Sequence, residues 1–443
     1  MANIYPFRAW RYNSGTVRLD NVVTQPYDKI SPAMQQAYYQ KSPYNLVRII
    51  LGLPELFDAE RGESVYSRAA RDFQGWREQG ILVQEKTPCV YAYAQRFRVP
   101  GSDEIKERRG FIALGKLHEY SDGVVFRHEQ TLSKPKSDRL NLLRAARAHF
   151  GQIFMLYSDP AGSVEQILYD GSSTADAEVT DEYGVVHRLW RISDPAAIRL
   201  LVSAMSDKKV IIADGHHRYE TALAYSKESG HGAGAASRTE SSVNQLPHPA
   251  RPEAAVMMTF VNMDSDGLVI LPTHRVIHSL PSFDSGQFAT TAATYFAVSK
   301  LPPVDSGAYL NALRAQDGTS FVAVTREESL LLTAKPDAVS AALAEAPERQ
   351  RQLDLTQLHR LVLERLLDLS AEKVREQTNI RYLRDAAEAV EQVRRGEADV
   401  AFLTNPVTLE QLKEVAFAGE VMPQKSTDFY PKLLSGLTIY ALD

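Results

Sequence analysis

The chain's apolar and polar positions fall into short blocks whose period switches between that of strands and that of helices. Residues 90–99 and 109–117 read as two strands joined by the polar Pro100-Gly101-Ser102-Asp103 turn, a spacing that predicts an antiparallel hairpin. Ahead of them, residues 4–10 read as extended and 22–28 as strand into turn, with Gln25-Pro26 projecting Tyr27 and Asp28 from a loop. Ser31-Pro32 has the order of cap and first-turn proline that opens a helix. Val65, Ala69, Phe73 and Trp76 share one face of a helix over 64–80. Leu140, Leu143, Ala146 and Phe150 mark another helix, 153–157 a buried strand and 185–192 an alternating one. Ser193-Asp194-Pro195 starts a helix carrying Ile198, Leu201, Val202 and Met205, which feeds the apolar run Val210-Ile211-Ile212-Ala213. That run reads as a buried strand. Asp214-Gly215 breaks it, and from His216 a helical period returns through Tyr219, Ala222, Leu223 and Tyr225.

Further on, 230–252 is rich in Gly, Ala, Ser, Asn and Pro and keeps no apolar period, which predicts a mobile surface insertion or lid. Residues 255–261 and 268–271 read as strands, the second ending at Pro272-Thr273-His274-Arg275 in a cationic loop. Strands over 320–324 and 330–332 and a helix over 358–367 follow. Residues 386–393, 400–404, 409–417 and 437–442 then alternate helix and strand, the order of packed crossover units. The fold class expected is mixed α/β (α+β) and multidomain. The divisions are an N-terminal α/β domain at 1–159, a core at 160–280 with the insertion at 230–252, and a C-terminal α/β domain at 281–443.

Composition narrows the function classes. Lys+Arg 50 against Asp+Glu 55 gives a net charge of −5, without the basic field that nucleic acid requires. A lone Cys89, in an alternating strand, excludes an internal disulfide and a cysteine zinc cluster. No apolar run approaches bilayer length and no charged-then-apolar leader opens the chain, so a cytoplasmic protein without a membrane partner is expected. The oligomeric state is not legible.

Against this acidic background, cations and imidazoles are concentrated in a few places. At the strand-to-helix turn, Asp214, Gly215, His216, His217, Arg218 and Glu220 crowd a helix start, where free backbone N–H groups and the positive helix end suit an anion. Arg218 adds a forked, permanently charged contact. Core packing requires none of these groups, although Asp214 as a cap and Gly215 as a turn would explain two of them. Phe126-Arg127-His128-Glu129-Gln130-Thr131 forms a second concentration, in which Glu129 could orient the His128 imidazole or raise its pKa. Lys134 and Lys136 follow and read as a solvated loop, in a segment that runs on to Arg139. His274 and Arg275 form a third. Lys425-Ser426-Thr427 lacks the glycine-rich lead of a P-loop, but with Lys432 it could bind phosphate or carboxylate. Tyr27 and Asp28 are substrate contacts or a loop cap.

The string Ile212-Ala213-Asp214-Gly215-His216-His217-Arg218-Tyr219-Glu220-Thr221-Ala222 resembles a bacterial domain-of-unknown-function family, number ten-fifteen. The resemblance runs nearly end to end through Gln25-Pro26-Tyr27-Asp28, Arg127-His128-Glu129, Leu271-Pro272-Thr273-His274-Arg275 and Met422-Pro423-Gln424-Lys425-Ser426-Thr427. Asp214-Gly215-His216-His217-Arg218 also looks like the signature of the free serine kinases of the ParB/sulfiredoxin superfamily, which implies a ParB/sulfiredoxin-like central core whose turn grips nucleotide phosphates. That resemblance implies a phosphotransferase using ATP or ADP with Mg2+ on the hydroxyl of a small metabolite, free serine being the nearest analogue. In those terms His216, His217, Glu129 and Asp214 are catalytic candidates, with Glu182 a second choice of base. Gly215, Arg218, Lys425, Ser426 and Thr427 would hold the cofactor, and Tyr27, Asp28, His128, His274 and Arg275 the anionic substrate. Asp214 or Glu220 would hold the metal. A non-catalytic nucleotide-binding regulator and a small-molecule phosphatase or other hydrolase are the alternatives.

Overall fold

The structure, a computed structural model, describes residues 2–54, 62–129, 133–169, 174–230 and 245–443. Two compact units form. The first comprises Met1–Arg127, Thr131–Val269 and Pro431–Asp443, and the second His128–Gln130 with Ile270–Tyr430. The mixed α/β class is what the chain adopts. The two units do not follow the divisions expected after residues 159 and 280, because strands from both sides of 159 pair within one sheet. Most of the 230–252 insertion, and Gln130 and Thr131, lie outside the described residues.

The first unit is organised by a nine-stranded sheet. Its strands are β1 (Ile4–Tyr5), β2 (Val90–Arg98), β3 (Ile105–Lys116), β4 (Val125–Phe126), β5 (Ile153–Tyr157), β6 (Ala177–Thr180), β7 (Val186–Ile192), β8 (Val210–Asp214) and β9 (Ala255–Asn262). They run in the order β4-β8-β5-β9-β3-β2-β7-β6, with β1 beside β3. The β2–β3 hairpin is antiparallel as its spacing predicts, Gln95 facing Arg108 in register. The longer helices are α1 (Pro32–Lys41), α2 (Val65–Glu78), α3 (Ser133–Ala146), α4 (Pro195–Met205) and α5 (His216–Ser229). The starts of α1 and α4 are those their capping residues dictate: Ser31 Oγ accepts from the Met34 N–H, and the Asp194 side chain from the N–H groups of Ala196 and Ala197.

β8 sits where its composition places it. Val210, Ile211, Ile212 and Ala213 are all buried, between parallel β4 and antiparallel β5. Burying each of the three larger side chains contributes about 1.5–3 kcal/mol. The register with β5 shifts between Ile212 and Asp214, a bulge that re-aims the strand's last side chain.

The second unit is built on a six-stranded sheet of β10 (His274–Ile277), β11 (Phe296–Leu301), β12 (Ser320–Thr325), β13 (Ser329–Ala334), β14 (Ile380–Leu383) and β15 (Val400–Leu403), in the order β11-β13-β12-β15-β10-β14. Helix–strand alternation predicts crossover units here, yet every strand pairing of this sheet is antiparallel. The helices α6 (Ser306–Arg314) and α7 (Ala386–Arg394) cover one face, burying Tyr309, Leu313, Ala389 and Val393 against Val276, Val322 and Leu403. The helix expected over 358–367 forms as a π-helix, Leu358–Leu366.

Three other expectations fail locally. Residues 22–28 make a single bridge at Thr24 and a one-turn helix, Tyr27–Lys29, because Pro26 donates no ladder hydrogen bond. Only Tyr440–Ala441 of 437–442 is a strand. His274 and Arg275 are not in a loop but in β10, both fully buried.

Candidate functional site

The strand-to-helix turn forms as its sequence dictates. Gly215 takes φ +94°, a left-handed conformation costly for any other residue, and α5 begins at His216. A Cβ at Gly215 would stand 3.0 Å from Arg218 Nε, so glycine also makes room for the guanidinium to fold back across the turn. Arg218 Nη1 donates to Gln152 O, and Arg218 Nη2 stands 3.7 Å from Asp214 Oδ1. On the other carboxylate oxygen, Lys432 Nζ approaches Asp214 Oδ2 to 3.1 Å. Burial alone would raise the Asp214 carboxyl, but Lys432, Arg218 and Lys29 together outweigh burial and hold it far below its ordinary value. Asp214 is therefore ionised at neutral pH and a weak base.

Beside the turn lies a cleft of about 70 Å³, walled by Leu142, Leu143, Phe150 and Val256 and reached by Tyr27, Arg139, His149, Arg218, Thr221 and Ser435. That is well below the roughly 300–1,000 Å³ of drug-sized sites, so the enclosed part has room for an anionic head and not for a whole nucleotide. Arg139 lies over the Tyr27 ring at 4.1 Å. Burial, and after it the charge of Asp28, pushes the Tyr27 phenol above its usual value. The Thr221 hydroxyl is buried, with no protein partner among the described residues.

The structure thus joins Tyr27 and Arg218 at one opening and ties Asp214 and Gly215 directly to Arg218. Asp28 is exposed. His216 is buried and His217 half-buried, and neither imidazole lines the cleft. The imidazole that does is His149, which burial pushes down to about 4 and keeps neutral. Glu220 is held elsewhere, ion-paired with Arg127 at 3.7 Å and with Lys136, and accepting from Tyr120 Oη at 3.3 Å. Asp214 and Glu220 share none of these partners and both already hold cations, so they do not fit the magnesium role. Among the described residues no group of three or more His, Cys, Asp or Glu side chains could hold a metal ion.

The remaining expected site residues belong to the second unit. Glu129 Oε1 accepts from Ser426 N at 3.0 Å and Thr427 N at 3.3 Å, and His128 Nε2 meets Thr427 Oγ1 at 2.8 Å. Arg275 donates to the carbonyls of Thr273 and, at 3.1 Å, Lys425. Its Cζ lies 5.4 Å from the centre of the Tyr382 ring. His274 Nδ1 accepts from Thr404 N at 3.3 Å. Lys425 itself adopts φ +56°. Glu129, His128 and Arg275 thus shape the 424–427 loop, while His274 Nε2 and Arg275 Nε are buried with no hydrogen-bond partner among the described residues and Lys425 is exposed. Glu129 as the catalytic base, and Lys425, Ser426 and Thr427 as a cofactor cradle, find no support in this geometry.

Sequence reasoning gives Arg139 no site role and does not single out His149, Lys29 or the buried pair Gln95–Arg108. A signal existed only for the pair: a glutamine and an arginine at facing positions of the predicted hairpin.

Fold and site together define a mixed α/β protein with cations gathered on one carboxylate at a strand-to-helix turn. The chain belongs to the family described as Protein of unknown function (DUF1015), whose model matches residues 4–356. No curated protein matches it. Among solved structures it is similar to a free serine kinase in complex with AMP, at 14% identity and TM-score 0.34, over 71% of this chain and 88% of that one. It is also similar to a conserved hypothetical protein from Pyrococcus furiosus, at 13% and 0.34, covering 71% and 90%. A third is SbnI with a C-terminal truncation from Staphylococcus aureus, at 10% and 0.36, covering 73% and 85%. Likenesses of this size carry no statement about this chain's ligand. Among the described residues no helix is long and apolar enough to cross a membrane.

Proposed function

We propose that the first unit binds the phosphate end of a nucleotide, ATP or ADP, at the Asp214–Arg218 turn and transfers a phosphoryl group to the hydroxyl of a small metabolite, free serine being the nearest analogue. The observation that carries this reading is the convergence of Lys432, Arg218 and Lys29 on Asp214 beside the cleft that Arg218 lines. Cations fixed around one point stabilise the charge that spreads over a transferring phosphoryl group, and such chemistry is mostly positioning and electrostatics. In this reading Asp214 arrays the cations, Arg218 and Lys432 contact phosphate oxygens, and the Thr221 hydroxyl adds a short contact from the cleft wall.

A second reading, a nucleotide-binding regulator without catalysis, is favoured by one observation: each candidate base is already engaged. Asp214 is too weak a base to take a hydroxyl proton, Glu129 accepts from the Ser426 and Thr427 N–H groups, and Glu182 accepts from Tyr38 Oη at 2.5 Å. Incubation with γ-labelled ATP or β-labelled ADP and an amino-acid pool separates the two. Label on a hydroxyl supports the transferase, and release of free phosphate supports a hydrolase. Saturable binding without turnover supports the regulator, and absence of nucleotide binding overturns all three.

A further inference from the structure

Lys432 reaches Asp214 from a segment with little structure of its own: residues 431–436 contribute one bridge, Ser435 to Thr24, and no helix or longer strand. A lysine ammonium rides on a flexible four-carbon stem, so its position at 3.1 Å from Asp214 depends on where the main chain at 432 is held. Two buried side chains hold it. Gln95 Nε2 donates to Lys432 O at 2.8 Å, and Arg108 Nη2 donates to the preceding carbonyl, Pro431 O. Gln95 and Arg108 face one another in register across the β2–β3 hairpin, each only 1% exposed, and Arg108 Nε donates to Gln95 Oε1 at 3.1 Å. The arginine lies over the Phe154 ring at 4.6 Å, and His187 Nδ1 stands 3.3 Å from Gln95 Nε2. A guanidinium and an amide cost free energy to bury unless their groups are used. Here they are used on two consecutive carbonyls of the segment that delivers Lys432.

We propose that Gln95 and Arg108 are positioning residues, which fix the Pro431–Lys432 main chain so that the Lys432 ammonium completes the cation set around Asp214. The inference rests on the anion seat proposed above, and its test separates the two. Affinity for pyrophosphate is measured by calorimetry on the full chain and on Lys432→Met, Gln95→Met and the double variant, with chemical denaturation run in parallel. Lys432→Met and Gln95→Met should each weaken binding about tenfold, the loss expected for one missing charged contact. The double variant should bind no more weakly than Lys432→Met alone, because Gln95 acts through Lys432. Losses that multiply in the double variant, or unchanged affinity in Gln95→Met, overturn the positioning role while leaving the seat standing. Unchanged affinity in Lys432→Met removes the seat and this inference with it. Should Gln95→Met fail to fold, Gln95→Glu keeps the size and the acceptor for Arg108, pairs its new charge with that guanidinium, and removes the donor to Lys432 O together with the contact to His187. If neither variant folds, Gln95 determines the fold instead, and the proposal is overturned.

Discussion

Around Asp214 in the first unit, charges answer charges: a carboxylate holds two cations at 3.1 and 3.7 Å, next to a cleft. Around Glu129 and Arg275 in the second unit, charges answer the backbone: the carboxylate takes two N–H groups and the guanidinium takes carbonyls. Both regions look alike as strings of Asp, Glu, His, Arg and Lys. The difference lies in how much charge each leaves to act. A carboxylate bonded to N–H groups has been spent on holding a loop, whereas cations clustered on one carboxylate keep a field into which an anion can move. The largest effect that tests this contrast is Asp214→Ala. Removing the carboxylate leaves partly buried cations facing one another and should lower unfolding stability by about 3 kcal/mol in urea. Added phosphate should restore part of that loss by occupying the vacated charge. A variant as stable as the parent, or one indifferent to phosphate, would break the comparison.

Next in size are two substitutions, one in each region. Arg218→Ala should weaken nucleotide or pyrophosphate binding several-fold or more with the fold intact, as read by calorimetry and circular dichroism. Glu129→Gln exchanges charged acceptance from Ser426 and Thr427 for neutral acceptance, which should cost about 1–2 kcal/mol and leave pyrophosphate affinity where it was. Equal losses of affinity in the two variants would erase the distinction between seat and brace. Gly215→Ala sharpens the first region: the left-handed backbone and the 3.0 Å approach to Arg218 Nε together should cost about 1–2 kcal/mol and displace the guanidinium, lowering affinity as well as stability.

Much of the first region was legible in the chain. The β8 run, the Gly215 break and the helix from His216 follow from side-chain period and from glycine's freedom at positive φ, and the loop carrying Tyr27 does reach the cleft. What the sequence hid was convergence over long separations. Nothing local to Lys432 or Lys29 announces that both face Asp214, since that pairing is made by sheet order and by a buried Gln95–Arg108 grip. The second region misled for a related reason. His274 and Arg275 follow a proline and read as the end of a strand, but β10 starts at that point, between β14 and β15, and buries both. His216 and His217 carried weight as letters, yet the imidazole at the cleft is His149, in a stretch whose apolar pattern drew attention only to Phe150.

Histidine titration supplies the smallest and most graded test. His149 in the first unit and His274 in the second are pushed down to about 4 by burial, and His359 to about 3, burial again being the main cause with the Arg275 charge second for His359. Each is neutral when folded, while in the unfolded chain an imidazole takes its proton near pH 6.5. A folded pKa below the unfolded one means that the unfolded state binds more protons between the two values. The stability from these residues is therefore complete above about pH 6.5 and drains away as pH falls toward their folded values. Around pH 5.5 each should have lost on the order of 1 kcal/mol. Asp214 behaves differently: its folded value lies below the unfolded one near 3.9, so its contribution is intact at pH 5.5 and fails only below about pH 4. Unfolding stability in urea should accordingly fall from pH 7.5 to 4.5 in the parent and fall less steeply in His359→Leu, with His149 and His274 still contributing, while Asp214→Ala keeps the parent's slope at lower absolute stability. A steeper slope in Asp214→Ala would mean that the parent's folded carboxyl carries a proton in this range and is not held ionised by the surrounding cations, and the contrast between the two regions would have lost its electrostatic basis.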